Sequence, residues 1–185
     1  MLVLCLALAL CLVPGLVLAD VGGDVEQYGN SNYATIDQTG PSNYALVTQG
    51  VNWWEAYWNT ASITQYNDGG NIATITQYDQ SNYATITQES DAQADTATIT
   101  QSGSGYGYGN TAIIDQWGGP NNIASITQAG NSNYASQYQG SGSNNNTANI
   151  NQSGNNNTAY QYQDVGSSYN TANITQSGNS NYASH

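Results

Sequence analysis

The side chains of this sequence with chemistry to offer are mainly primary amides, and they recur at one spacing. A seven-residue phrase, Asn-x-Ala-x-Ile-x-Gln, occurs thirteen times between Asn32 and His185. Its first position is Asn32, Asn43, Asn59, Asn71, Asn82, Asn110, Asn122, Asn133, Asn146, Asn157, Asn170 and Asn181, with Asp95 as the exception. Its last position is Gln38, Gln49, Gln65, Gln77, Gln88, Gln101, Gln116, Gln128, Gln139, Gln152, Gln163 and Gln176. A primary amide carries two N–H donors and a carbonyl acceptor, so identical amides one strand apart can bond to each other in a row. The chemistry this points to is recognition of like by like.

Bond-making chemistry lacks its parts. Ser and Thr are plentiful, but a hydroxyl nucleophile needs an adjacent base, and the sole histidine is His185 at the last position. The chain is therefore not read as an enzyme. It has twelve acids, no Lys or Arg, a formal net charge of −12 and a sequence pI near 4.1. With no cation to neutralise phosphates, nucleic acids and anionic membrane surfaces are poor partners. The apolar run Met1 to Ala19, ending Val17-Leu18-Ala19, reads as a secretory signal peptide cleaved before Asp20. Both cysteines, Cys5 and Cys11, lie inside it, so the remainder has no thiol for a disulfide or a thiolate metal site. Asn67-Asp68-Gly69-Gly70-Asn71 hints at a calcium loop, yet it occurs once without spaced acids and reads as an ordinary turn. No cofactor, metal or small-molecule substrate is implied.

Positions one, three, five and seven of the phrase share a face only if side chains alternate with period two, which makes each phrase a β-strand. The positions between are rich in Thr, Tyr and Ile, which suit a pleated surface. The face holding the amides also holds Ala and Ile, and the expected core includes Ala73, Ile75, Ala84, Ile86, Ala97, Ile99, Ala124, Ile126, Ala148, Ile150, Ala172 and Ile174. Clusters such as Ser153-Gly154-Asn155-Asn156 separate the phrases, and Gly and Asn accept positive φ cheaply, so each cluster turns the chain.

Near the C-terminus the phrases start at Asn122, Asn133, Asn146, Asn157, Asn170 and Asn181, giving alternating steps of eleven and thirteen and a two-strand unit of twenty-four residues. Pairs beginning at Asp95/Asn110, Asn71/Asn82 and Asn43/Asn59 keep this scheme with longer loops, and a degenerate phrase from Val21 to Gln27 pairs with Asn32 to Gln38. The expected fold is all-β: a β-solenoid of about seven stacked strand-turn-strand rungs, each rung a flat hairpin, with equivalent residues ~4.8 Å apart along the axis. Position five is Ile or Val except at Gln137, Gln161 and His185, which are mutually twenty-four apart and so fall in one column. Eleven acids fall in turns or outward positions; Asp95 alone takes an inward slot, at a strand start that water should reach. The last phrase, Asn181 to His185, shows no polar cap, and an open edge of this kind recruits further strands. End-to-end polymerisation is the physical expectation.

These residues resemble the curlins, subunits of bacterial curli-type amyloid fibres. The likeness rests on Asn-x-Ala followed by Gly/Asn/Ser turns, on the Gln closing each strand, and on segments such as Asp115-Gln116-Trp117-Gly118-Gly119, over roughly residues 25–185. It implies a signal peptide at 1–19, a short targeting segment at 20–31 that overlaps the degenerate phrase, and a repeat solenoid at 32–185. It further implies export through an outer-membrane secretion pore, a nucleator subunit as partner, and extracellular fibres of the biofilm matrix at the cell surface that support adhesion and aggregation. Uniform repeats and the lack of a basic C-terminal unit resemble the major subunit more than the nucleator. The short 20–31 segment and the absence of Lys and Arg depart from the family's usual pattern.

Two features lie outside this reading. The segment Trp53-Trp54-Glu55-Ala56-Tyr57-Trp58 offers Trp53, Trp54, Tyr57 and Trp58 as an aromatic patch for a surface, against the plainer reading of a long turn folded over the stack. Outward Thr pairs, such as Thr74/Thr76, Thr85/Thr87 and Thr98/Thr100, suit a flat ice-binding face, but Asn149/Asn151 and Tyr160/Tyr162 interrupt them. The alternative to a self-assembling fibre subunit is thus a secreted monomeric solenoid that binds glycan or ice through one outward face. The inward face is the uniform one, which favours assembly.

Overall fold

The computed structural model describes residues 22–50, 57–66, 69–89, 93–103, 108–164 and 166–185. The segment read as a signal peptide, Trp53, Trp54 and the Asn67-Asp68 turn lie outside them. Among the described residues there are fourteen strands and no helix. One seven-stranded sheet runs β1 (Gly23–Gln27), β3 (Tyr44–Gln49), β5 (Ile72–Gln77), β7 (Thr96–Ser102), β9 (Ile123–Ala129), β11 (Thr147–Ser153) and β13 (Thr171–Ser177). The other runs β2 (Tyr33–Gln38), β4 (Thr60–Gln65), β6 (Tyr83–Glu89), β8 (Thr111–Trp117), β10 (Tyr134–Gln139), β12 (Thr158–Gln163) and β14 (Tyr182–Ser184). The chain crosses from sheet to sheet at every turn, so the molecule is a two-faced β-solenoid.

Every ladder is parallel and sets like on like. Ala73, Ile75 and Gln77 of β5 lie opposite Ala97, Ile99 and Gln101 of β7, and the same holds for Ala148, Ile150 and Gln152 against Ala172, Ile174 and Gln176. Each rung is a strand-turn-strand arch stacked on the next, as expected. Ladder bonds run between rungs, and the two strands of a rung face one another across the core, because each strand lies beside its own repeat in the next rung. Parallel sheets ordinarily need cover on both faces. These two cover each other on one side, and Thr, Tyr and Asn cover the outside.

Burial alternates strictly along the strands, as in the pattern of β6 and β7, where Ala84, Ile86, Ala97 and Ile99 are fully enclosed. All twelve expected core residues are buried, Ile174 near the end of the stack being the most open at 7%. The residue before the phrase's first position is left-handed in eleven places without being glycine, among them Ser31, Ser42, Trp58, Ala94, Tyr169 and Ser180. Each such residue costs roughly 1–2 kcal/mol, and the turn tolerates it because it swings the following Asn inward. Where turns stack most closely only glycine fits: a Cβ on Gly130 or Gly154, both at positive φ, would run into the carbonyl of the glycine one rung on.

Candidate assembly site

The Gln side chains form two continuous columns, one in each sheet. In the odd sheet Nε2 of each Gln donates to Oε1 of the next: Gln27 to Gln49 (2.7 Å), Gln49 to Gln77, Gln77 to Gln101, Gln101 to Gln128 (each 2.9 Å), and on through Gln152 to Gln176 (2.8 Å). In the even sheet the column runs Gln38, Gln65, Gln88, Gln116, Gln139, Gln163. The second amide hydrogen reaches across the core to the carbonyl of the first strand residue in the opposite sheet, as from Gln101 to Tyr83 (3.0 Å) and from Gln128 to Thr111 (2.9 Å). Each amide therefore ties its rung to the next one and its sheet to the other. Every donor points toward the C-terminal end, so the columns have a direction. The N-terminal even-sheet member leaves Gln38 Oε1 buried with no partner among the described residues.

The Asn column bonds by a different scheme. Asn Oδ1 accepts the backbone N–H of the first-position residue one rung on, from Asn59 N to Asn32 (3.1 Å) through Asn181 N to Asn157 (3.0 Å). Asn Nδ2 donates to turn carbonyls: Asn122 to Gly119 and Ser143, Asn133 to Gly154, Asn157 to Gly178. Amide-to-amide bonds appear in the even sheet, for example Asn133 to Asn110 (3.0 Å) and Asn157 to Asn133 (3.1 Å). The short Asn side chain bonds the backbone of the turn beside it, and in the even sheet the neighbouring amide as well. Its work is to hold consecutive turns in register. Asn43, Asn71, Asn82, Asn110 and Asn146 are buried, whereas Asn32 is half-buried and Asn170 and Asn181, at the end of the stack, are exposed.

Two places break the columns. Asp95 is fully enclosed, contrary to the water access expected at a strand start, because the next rung lies directly over it. Its Oδ1 accepts the Asn122 N–H at 2.7 Å and its Oδ2 has no partner among the described residues. Burial pushes its pKa up to about 7, against a smaller downward pull from Asn122. The second break is in the core. Gln137 and Gln161 stand where other rungs have Ile; Gln137 Nε2 donates to Gln161 Oε1 (2.9 Å) and to the Ser125 carbonyl, leaving Gln137 Oε1 and Gln161 Nε2 buried and unbonded among the described residues. His185 is next in this column and bonds β12 through its backbone, with an exposed side chain. An orphaned buried polar atom costs about 1–3 kcal/mol. The double replacement Gln137→Ile with Gln161→Ile is expected to stabilise the stack by about 2 kcal/mol or more, read as a higher guanidinium midpoint. An unchanged midpoint would show that the amides are satisfied by water.

Gln27 heads the odd column, yet the sequence reading does not single it out. Its signal is present in the degenerate phrase, where Val25 and Gln27 keep positions five and seven. Of the aromatic segment, Tyr57 bridges Asn30 and Gln80, and Trp58 is 64% exposed. The outward Thr pairs divide between the two sheets, Thr74/Thr76 and Thr98/Thr100 on one and Thr85/Thr87 on the other.

A family model described as Curlin associated repeat matches residues 22–50, the segment that holds β1, β2 and β3. No curated protein and no solved structure matches the chain. The match to a curlin repeat, in a stretch whose phrase the following strands repeat in register, supports membership of the curlin family.

Proposed function

We propose that the chain is a secreted structural subunit that polymerises into curli-type amyloid fibres at the cell surface, more like the major subunit than a nucleator. The observation that carries this reading is that each rung binds the next by like-on-like pairing, so a rung of a second copy presents the same contacts as a rung of the first. Among the described residues the outermost strands are β1 and β2 on one side and β13 and β14 on the other. Edges of this kind recruit strands. The Gln columns offer an acceptor at the β2 edge and donors toward the β13 edge, so copies add in one orientation. Self-assembly into fibres, with a nucleator and an outer-membrane pore as partners and the biofilm matrix as setting, is what curlin membership suggests. The amide chemistry serves stacking, and the chain acts as a structural protein rather than a catalyst.

Residues 20–185 diluted from denaturant should form unbranched fibres with a ~4.8 Å meridional reflection. A stable monomer that never polymerises would sink this reading and leave a surface-binding solenoid. Stacking copies also stacks their acids, and no Lys or Arg offsets them. Assembly half-times should therefore shorten as pH falls toward the sequence pI of 4.1. Half-times indifferent to both pH and salt would count against this.

A further inference from the structure

The outer face of the even sheet gathers five tyrosines at its C-terminal end, on β10, β12 and β14. The arrangement of the columns decides which of them meet. The second phrase position along this sheet reads Tyr33, Thr60, Tyr83, Thr111, Tyr134, Thr158, Tyr182, so tyrosines there are always two rungs apart. The sixth position reads Asp37, Thr64, Thr87, Asp115, Tyr138, Tyr162, and sets the last two directly opposite each other. Their rings stack with centroids 4.7 Å apart and planes 7° from parallel. Tyr134–Tyr160 and Tyr160–Tyr182 meet diagonally, at 5.4 and 6.1 Å with tilts of 47° and 52°. Only the stacked pair brings equivalent ring carbons over one another. Tyr138 is half-buried and Tyr162 is 53% exposed, so a small oxidant can reach both.

We propose that Tyr138 and Tyr162 are a site of oxidative cross-linking, joined as o,o′-dityrosine by hydrogen peroxide and a haem peroxidase. Each phenol loses one electron and its hydroxyl proton to give a phenoxyl radical. The two radicals form one carbon–carbon bond between positions ortho to the oxygens, and each coupled ring then moves its ortho proton to oxygen and regains aromaticity. In sum the protein loses two hydrogen atoms and one peroxide becomes two waters. The bond ties β10 to β12 across one rung step. It gives a chain whose residues 20–185 lack cysteine a covalent staple parallel to the stack axis. The cross-link depends on the solenoid register alone and does not require the chain to form fibres.

The test treats dilute, folded full-length protein with peroxide and a haem peroxidase, then maps links by peptic digestion and tandem mass spectrometry, since the absence of Lys and Arg rules out trypsin. The expected principal product joins residues 138 and 162, lighter by two hydrogens, with the blue fluorescence of dityrosine. Tyr138→Phe and Tyr162→Phe each abolish that link while keeping a ring to stack; Tyr134→Phe leaves it intact. The same treatment in guanidinium should scatter links among the chain's fifteen tyrosines. A native product dominated by other pairs, or a 138–162 link formed as readily in denaturant, would overturn the proposal.

Discussion

Replacing Gln101 by leucine is expected to destabilise the solenoid by about 3 kcal/mol or more. Gln101 is fully buried at mid-column, where it accepts from Gln77 and donates to Gln128 and to the Tyr83 carbonyl. Leucine fills a similar volume, so little of the loss is cavity. What remains is a Gln77 hydrogen and the Gln128 oxygen, left inside without partners at roughly 1–3 kcal/mol each, and a Tyr83 carbonyl that loses its side-chain donor. The same change at Gln176 should cost less, because beside an end rung it frees one Gln152 hydrogen and removes a side-chain donor from the Thr158 carbonyl. Thr100→Ala, on the outer face of the same strand, should shift stability by no more than about 0.5 kcal/mol. Guanidinium midpoints ranked Gln101 below Gln176 below Thr100 would establish the amide column as the source of cohesion. Equal midpoints for Gln101→Leu and Thr100→Ala would mean that backbone ladders and Ile packing hold the stack alone. If a second copy docks by the same contacts, Gln101→Leu should also slow fibre growth.

Much of this architecture is legible in the sequence because each signal has a period. Alternation within the phrase sets strand and face, and the eleven–thirteen step sets which strands share a sheet, so the partners Ile75 and Ile99 follow from counting. What is not legible depends on reach and on neighbours. Asn and Gln look alike in composition, yet Gln finds the next amide in both sheets, whereas Asn is held chiefly by turn and ladder backbone and meets the next amide in the even sheet. Left-handed Trp58, Ala94 and Tyr169 follow no residue preference; they are imposed by the need to aim the next side chain inward. Position in the stack explains Asp95. A strand start is open to water in an isolated hairpin, but in a stack the next rung closes over it. The stacked Tyr138 and Tyr162 follow from the same count, whereas the diagonal Tyr134–Tyr160 contact depends on how the rings lean across one rung.

Asp95 leads to a second large effect, on pH dependence. An enclosed carboxyl whose pKa rises from 3.8 to about 7 favours the folded state when protonated. Its contribution to stability is fully present below pH 3.8 and declines as pH rises, with the loss complete above about 7. A rise of that size corresponds to about 4 kcal/mol. Asp95→Asn should therefore stabilise the chain by up to that amount at about pH 8 and by little at about pH 4. The amide would bring the two donors that Asn122 uses on Gly119 and Ser143, and would restore the residue every other complete phrase carries. The comparison separates two causes of acid-promoted stability. The other acids remain in the variant, so the part of the pH dependence between about 5 and 8 that disappears belongs to Asp95. Parallel stability curves for the two proteins across that upper range would show that Asp95 stays ionised inside the stack, which would require a compensating proton donor within reach of its Oδ2.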